Sequence, residues 1–174
     1  MKKILAGVVV LSLVAIIGYR AARASAAANA AQMREEDRVQ IDKLMWMYVR
    51  ALDTFNPDAY AATYTPDGQF GTGKQAVKGH PALEKMIEGY RRQAAEAAAK
   101  GQKQPAMYHM LLNSYVSFPD ANHAHMEAYW LTVFAGNGPK VPVRVAAAGR
   151  EVDELVKVNG QWLIQLRDVE PKDR

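Results

Sequence analysis

Apolar residues recur at three-and-four spacing through Ile41, Leu44, Met45, Tyr48, Ala51, Leu52 and Phe55, with Arg34, Glu35, Glu36, Asp42, Lys43 and Arg50 on the complementary positions. That period predicts an amphipathic helix of about five turns that starts near Arg34. Asn56-Pro57-Asp58 supplies an N-cap, a proline at the first helical position and an early acid, so a short second helix is expected through Tyr64, ended by a turn at Thr65-Pro66-Asp67-Gly68. A brief extended stretch at 69–72 precedes Gly79-His80-Pro81, which opens a third helix from Ala82 to Lys100. Its stripe is Leu83, Met86, Ile87 and Tyr90, and Gly101 closes it.

Beyond Gly101 the pattern switches to period two. Strands are expected at 107–118, 124–134, 141–148, 152–158 and 161–169, with Asn159-Gly160 as a two-residue hairpin turn between the last two. Helices first and antiparallel strands afterwards describe an α+β domain. At 174 residues there is room for one core, which excludes a two-domain enzyme.

Residues 1–24 read differently. Met-Lys-Lys, an apolar run from Ile4 to Gly18 and then small residues around Ala24 and Ala26 follow the order of a secretory signal. The run is shorter than the roughly 20 residues that span a bilayer core, which favours cleavage after Ala24 or Ala26; Arg20 and Arg23 just beyond it keep an uncleaved membrane anchor as the alternative. Residues 25–33 are small and look like a spacer before a domain at 34–170.

This segment also explains the charge. Of 22 Lys+Arg it holds four and no acid, so the other 150 residues carry 18 bases against 18 acids and the net charge of +4 belongs to the leader. A formally neutral body offers no electrostatic footprint for phosphate backbones, which excludes nucleic acid as an intrinsic partner. Cysteine is absent, so disulfides, a lipoprotein anchor and a thiolate nucleophile are excluded. Gly-x-Ser-x-Gly, Gly-x-x-x-x-Gly-Lys-Ser/Thr and Gly-x-Gly-x-x-Gly are missing too, and with them the signatures of serine hydrolases and nucleotide or dinucleotide binders.

Candidate chemistry sits on the apolar elements. On 107–118 alternation places His109, Leu111, Asn113 and Tyr115 on one face; an imidazole and a carboxamide there call for a polar network or a solvent-filled pocket. Tyr48 lies within the first helix's apolar stripe, and its hydroxyl either finds a partner inside or reaches the surface. Asp53, in that helix's last turn, opposes the helix dipole, which hints at another reason for it; the alternative is a solvated or capping residue. On the next strand His123, His125, Glu127 and Tyr129 alternate with Ala124, Met126, Ala128 and Trp130. If the second set packs the core, His125 and Glu127 are solvated. A zinc site from His123, His125 and Glu127 lacks any established ligand spacing and is set aside, and no cofactor is implied.

Several strings resemble the nuclear-transport-factor-2-like cone, in its SnoaL-like branch: Tyr48-Val49-Arg50-Ala51-Leu52-Asp53, Tyr64 to Phe70, His109-Met110-Leu111-Leu112-Asn113, Gly149 to Leu155 and Asn159-Gly160-Gln161-Trp162-Leu163-Ile164. The resemblance covers about Glu35 to Val169 and implies a curved antiparallel sheet wrapped around N-terminal helices. It also implies, from the family's dehydratases, a catalytic set of His109, Asp53 and Tyr48. Asn113, Glu127 and Trp130 complete the candidate set as substrate-binding residues, Glu127 being nearest by position to the dehydratases' remaining acid. In the implied chemistry His109 takes a proton beside a carbonyl, Asp53 orients the imidazole and Tyr48 donates to the enolate oxygen of a small hydrophobic hydroxy-ketone or enone. Dehydration and double-bond isomerisation use the same parts. The superfamily also contains catalytically silent domains, so an exported domain that binds a small apolar molecule, or pairs as a homodimer through its sheet, is the alternative.

Overall fold

The computed structural model describes residues 2–102, 105–136 and 141–172, with side chains described from Arg20 onward except Ala21. Helix α1 runs Lys2–Asp53 and belongs to two units, Met1–Val39 and Gln40–Arg174. Residues 25–33, expected as a spacer, are helical; five of the nine are alanine, the strongest helix former. The side chains of the apolar run Ile4–Gly18, on which the signal-or-anchor reading rests, lie outside the described residues. Among those described, no helix is long and apolar enough to cross a membrane.

In the second unit α2 (Pro57–Ala61) begins as expected, with Asn56 Oδ1 accepting from Ala59 N–H at 3.1 Å. It ends before Tyr64, and the expected turn Thr65–Gly68 lies inside a strand, β1 (Tyr64–Phe70). The turn chemistry appears as an irregularity in the ladder: Tyr64 pairs with Ile164 and Gln69 with Leu166, so five steps on one strand match two on the other. Gly68 permits this, because a Cβ there would lie 2.8 Å from Ile164 O and from Tyr64 Cβ. A short 3-10 turn and β2 (Val77–Lys78) follow, then α3 (His80–Ala99). Gly101 at φ 73° closes α3, with Gly101 N–H on Ala98 O and Gln102 N–H on Ala97 O.

Strands β3 (Met107–Ser117), β4 (His123–Phe134), β5 (Arg144–Val158) and β6 (Gln161–Asp168) complete a six-stranded sheet in the order β2-β1-β6-β5-β4-β3. Two expectations are corrected. The sheet is mixed, because β1 runs parallel to β6, and the strands expected at 141–148 and 152–158 are one. The apparent break at Gly149 is a packing site: a Cβ there would come within 2.6 Å of the Trp130 ring. Asn159 and Gly160, both at positive φ, form the β5–β6 hairpin turn as expected.

The core lies between the helices and the concave side of the sheet. Ile41, Leu44, Met45, Tyr48 and Ala51 of α1 meet Leu83 and Ile87 of α3 and Val116, Met126, Leu155 and Ile164 of the sheet. Each fully buried aliphatic side chain contributes about 1.5–3 kcal/mol. On β4 the inward set is Ala124, Met126 and Ala128, which settles the face left open by alternation.

Candidate active site

Helix α1 ends at Asp53, and Phe55 adopts a left-handed conformation, φ 48°, while Asn56 N–H closes on Ala51 O. The chain therefore turns sharply just after the acid. Asp53 Oδ1 accepts the backbone N–H of His109 at 2.9 Å and meets His109 Nδ1 at 2.8 Å. These bonds are the reason for an acid at the wrong end of a helix dipole. In the neutral ring, an Nδ1–H that donates to the carboxylate leaves Nε2 as the basic nitrogen. The two side chains are 6% and 19% exposed respectively.

Both line a cavity of about 640 Å³. Its walls are mostly apolar: Leu52, Phe55, Phe70, Met86, Met107 and Phe134, with the ring of Tyr60, while Tyr90 and Gln93 of α3 also face it. A base oriented by a second group inside an apolar cavity is the arrangement that proton abstraction from carbon requires.

Tyr48 is placed elsewhere. It is buried in a group of three phenols, its ring 5.2 Å from Tyr60 and 6.2 Å from Tyr64, and Tyr60 and Tyr64 share a hydroxyl contact at 3.2 Å. Burial pushes all three phenols up from the ordinary tyrosine value, so they are neutral. The Arg167 guanidinium lies over the Tyr48 ring, 4.0 Å from its centroid. Arg167 in turn donates to Asp153 at 2.6 Å and to Glu151, all three fully buried. Two carboxylates on one guanidinium leave Glu151 Oε1 and Asp153 Oδ1 without hydrogen-bond partners. Burial, with the second acid alongside, pushes Asp153 up to about 8, against the opposing pull of Arg167, and burial raises Glu151 as well. Sequence reasoning missed this triad. Alternate acids on β5 facing an arginine on β6 were its available signal.

The remaining candidates do not line the cavity of Asp53 and His109. Asn113 is exposed at φ 53° where the β3–β4 register shifts. Asparagine tolerates that left-handed position, and the extra residue reverses the alternation, so Val116 turns inward and Tyr115 outward. Glu127 faces the other side of the sheet, paired with Arg150 at 2.9 Å and with His125 at 3.6 Å, while His125 also meets Glu154 at 2.9 Å. Trp130 packs on Gly149 and donates to Arg150 O and Val169 O. Among the described residues no group of three or more acids and histidines is arranged to hold a metal.

The SnoaL-like domain family matches residues 33–168. The chain belongs to this family. No curated protein sequence matches it. Among solved structures, a protein of unknown function from Mycobacterium tuberculosis, Rv3472 in a variant form, aligns with TM-score 0.66 at 20% identity, over 83% of this chain and 76% of its own. A nuclear-transport-factor-2-like protein from Novosphingobium aromaticivorans gives 0.65 at 20% identity, over 80% and 84%. A proposed scytalone dehydratase from the same organism gives 0.61 at 20% identity, over 83% and 93%. At these identities the likeness is one of fold, and the SnoaL-like member shares the α+β cone of its neighbours.

Proposed function

We propose that this SnoaL-like domain is a cofactor-independent acid–base enzyme that dehydrates or isomerises a small hydrophobic hydroxy-ketone or enone. The observation that carries the proposal is the Asp53–His109 pair on the wall of the apolar cavity. His109 Nε2 takes a proton from the carbon next to a carbonyl, and Asp53 holds the ring and stabilises the imidazolium as it forms. Return of that proton from His109 Nε2 to the departing β-hydroxyl releases water and gives dehydration; its return to a remote carbon gives isomerisation. Tyr48 acts from behind in this reading, since its ring packs against that of Tyr60, a residue that lines the cavity.

The test is turnover of hydroxylated cyclic ketones and enones by the wild type and by His109→Ala and Asp53→Asn. The reading expects losses on the order of 10²-fold or more in both variants. Binding without turnover in the wild type would replace the enzyme with a ligand-binding domain.

Two further proposals concern the protein's setting. Tyr108, Met110, Leu112 and Tyr129 leave an exposed apolar face on adjoining strands, which suits a homodimer. The leader supports export, or an anchor if uncleaved, and an N-terminus at Ser25 or Ala27 in the exported protein distinguishes the two.

A further inference from the structure

Two pairs of polar side chains line the cavity. Asp53 and His109 occupy its sheltered part, whereas Tyr90, 41% exposed, and exposed Gln93 lie toward solvent. Positions 90 and 93 are one turn apart on the same face of α3, so a phenol and a carboxamide stand side by side. They interrupt a wall that is otherwise aromatic and aliphatic, notably Phe55, Phe70 and Phe134. Tyr60 also lines the cavity, but its hydroxyl is engaged with Tyr64. Among the described lining residues there is no lysine or arginine, so among them the His109 imidazole is the one group that can carry positive charge toward a ligand.

We propose that Tyr90 and Gln93 form a rim subsite for a second oxygen function, a hydroxyl or keto group, on the far side of a neutral fused-ring ligand. The proposal rests on the reading of Asp53 and His109 given above and narrows it. Aromatic walls favour flat rings. An oxygen toward each polar pair fixes how deeply the ligand sits, because displacement along the cavity would leave an oxygen against the apolar wall. Tyr90 and Gln93 are positioning residues: they set which carbon lies near His109 Nε2.

The experiment uses pairs of phenols that differ by the far oxygen, at two lengths: 2-naphthol with 2,6-naphthalenediol, and 17-deoxyestradiol with 17β-estradiol. Binding is measured by fluorescence to the wild type, Tyr90→Phe/Gln93→Leu and His109→Ala. For at least one pair the wild type is expected to hold the two-oxygen member about tenfold more tightly, as one good hydrogen bond provides. In Tyr90→Phe/Gln93→Leu that preference falls to about one, while affinity for the single-oxygen member stays within about twofold. A preference that survives in that variant, equal weakening of both members, or no preference in the wild type at either length overturns the assignment. His109→Ala separates the two readings, since it weakens both members and leaves their ratio. Unchanged affinities there count against the inner site alone, and no binding of any phenol by the wild type overturns both.

Discussion

Replacing Asp153 by asparagine changes how stability depends on pH, and the structure gives the sign and size of the change. Asp153 is fully buried and held up to about 8 by burial and by Glu151 beside it, against the pull of Arg167. In the unfolded chain its carboxyl returns to about 4. Between those values the folded protein binds a proton that the unfolded chain does not, so its contribution is complete below about pH 4 and is lost as pH rises toward 8. One such group contributes a slope of about 1.4 kcal/mol per pH unit, or about 2–3 kcal/mol between pH 5.5 and 7.5. The substituted carboxamide keeps an acceptor for Arg167, leaves Glu151 as its single counter-ion and titrates nowhere in this window. Urea unfolding of the wild type and Asp153→Asn at half-unit steps should therefore show curves that nearly meet at pH 5.5 and separate upward, the variant being the more stable at pH 7.5. Parallel curves with a constant offset would refute the reasoning, because the buried acid would then carry no extra proton.

Other consequences follow from the same packing. Arg167→Met removes the shared partner of two buried acids and should cost about 3–5 kcal/mol in urea unfolding, most of it recovered when Glu151→Gln and Asp153→Asn are added. Gly149→Ala drives a methyl into a Trp130 ring that is pinned by its bonds to Arg150 O and Val169 O. A loss of about 1–3 kcal/mol is expected, relieved in part by Trp130→Phe. If the exposed face of Tyr108, Met110, Leu112 and Tyr129 pairs two copies as proposed, the wild type sediments as a dimer and Leu112→Glu with Tyr129→Lys as a monomer with an unchanged circular dichroism spectrum; a monomeric wild type refutes that proposal.

The helices and their caps were legible because each signal is local. Asn56-Pro57, Gly101 and Asn159-Gly160 act within four residues, and the α1 stripe needs no partner to be read. The strands were harder wherever a tertiary contact overrides the local cue. Thr65-Pro66-Asp67-Gly68 carries turn chemistry, yet the parallel neighbour β6 draws it into the sheet as a bulge. Gly149 looks like a strand end but accommodates an indole from the next strand.

In the site, Asp53 and His109 are 56 residues apart, and the unfavourable helix-end acid was the sequence's own hint of their meeting. Asn113 misled because period-two reading cannot register a bulge; its left-handed φ reverses every face beyond it. For Tyr48 spacing left an inward and a surface-reaching hydroxyl both open; the ring is buried against Tyr60 and Arg167, whose positions depend on packing that spacing alone does not specify.

The most direct test of the central claim is hydrogen exchange at carbon. Cyclic ketones and enones incubated with the protein in heavy water gain deuterium next to the carbonyl if a base in the cavity removes that proton, whether or not water is then lost. The account predicts mass gain at that carbon with the wild type, and at least about a 10²-fold slower gain with His109→Ala and with Asp53→Asn. Equal deuterium uptake by all three proteins would contradict it.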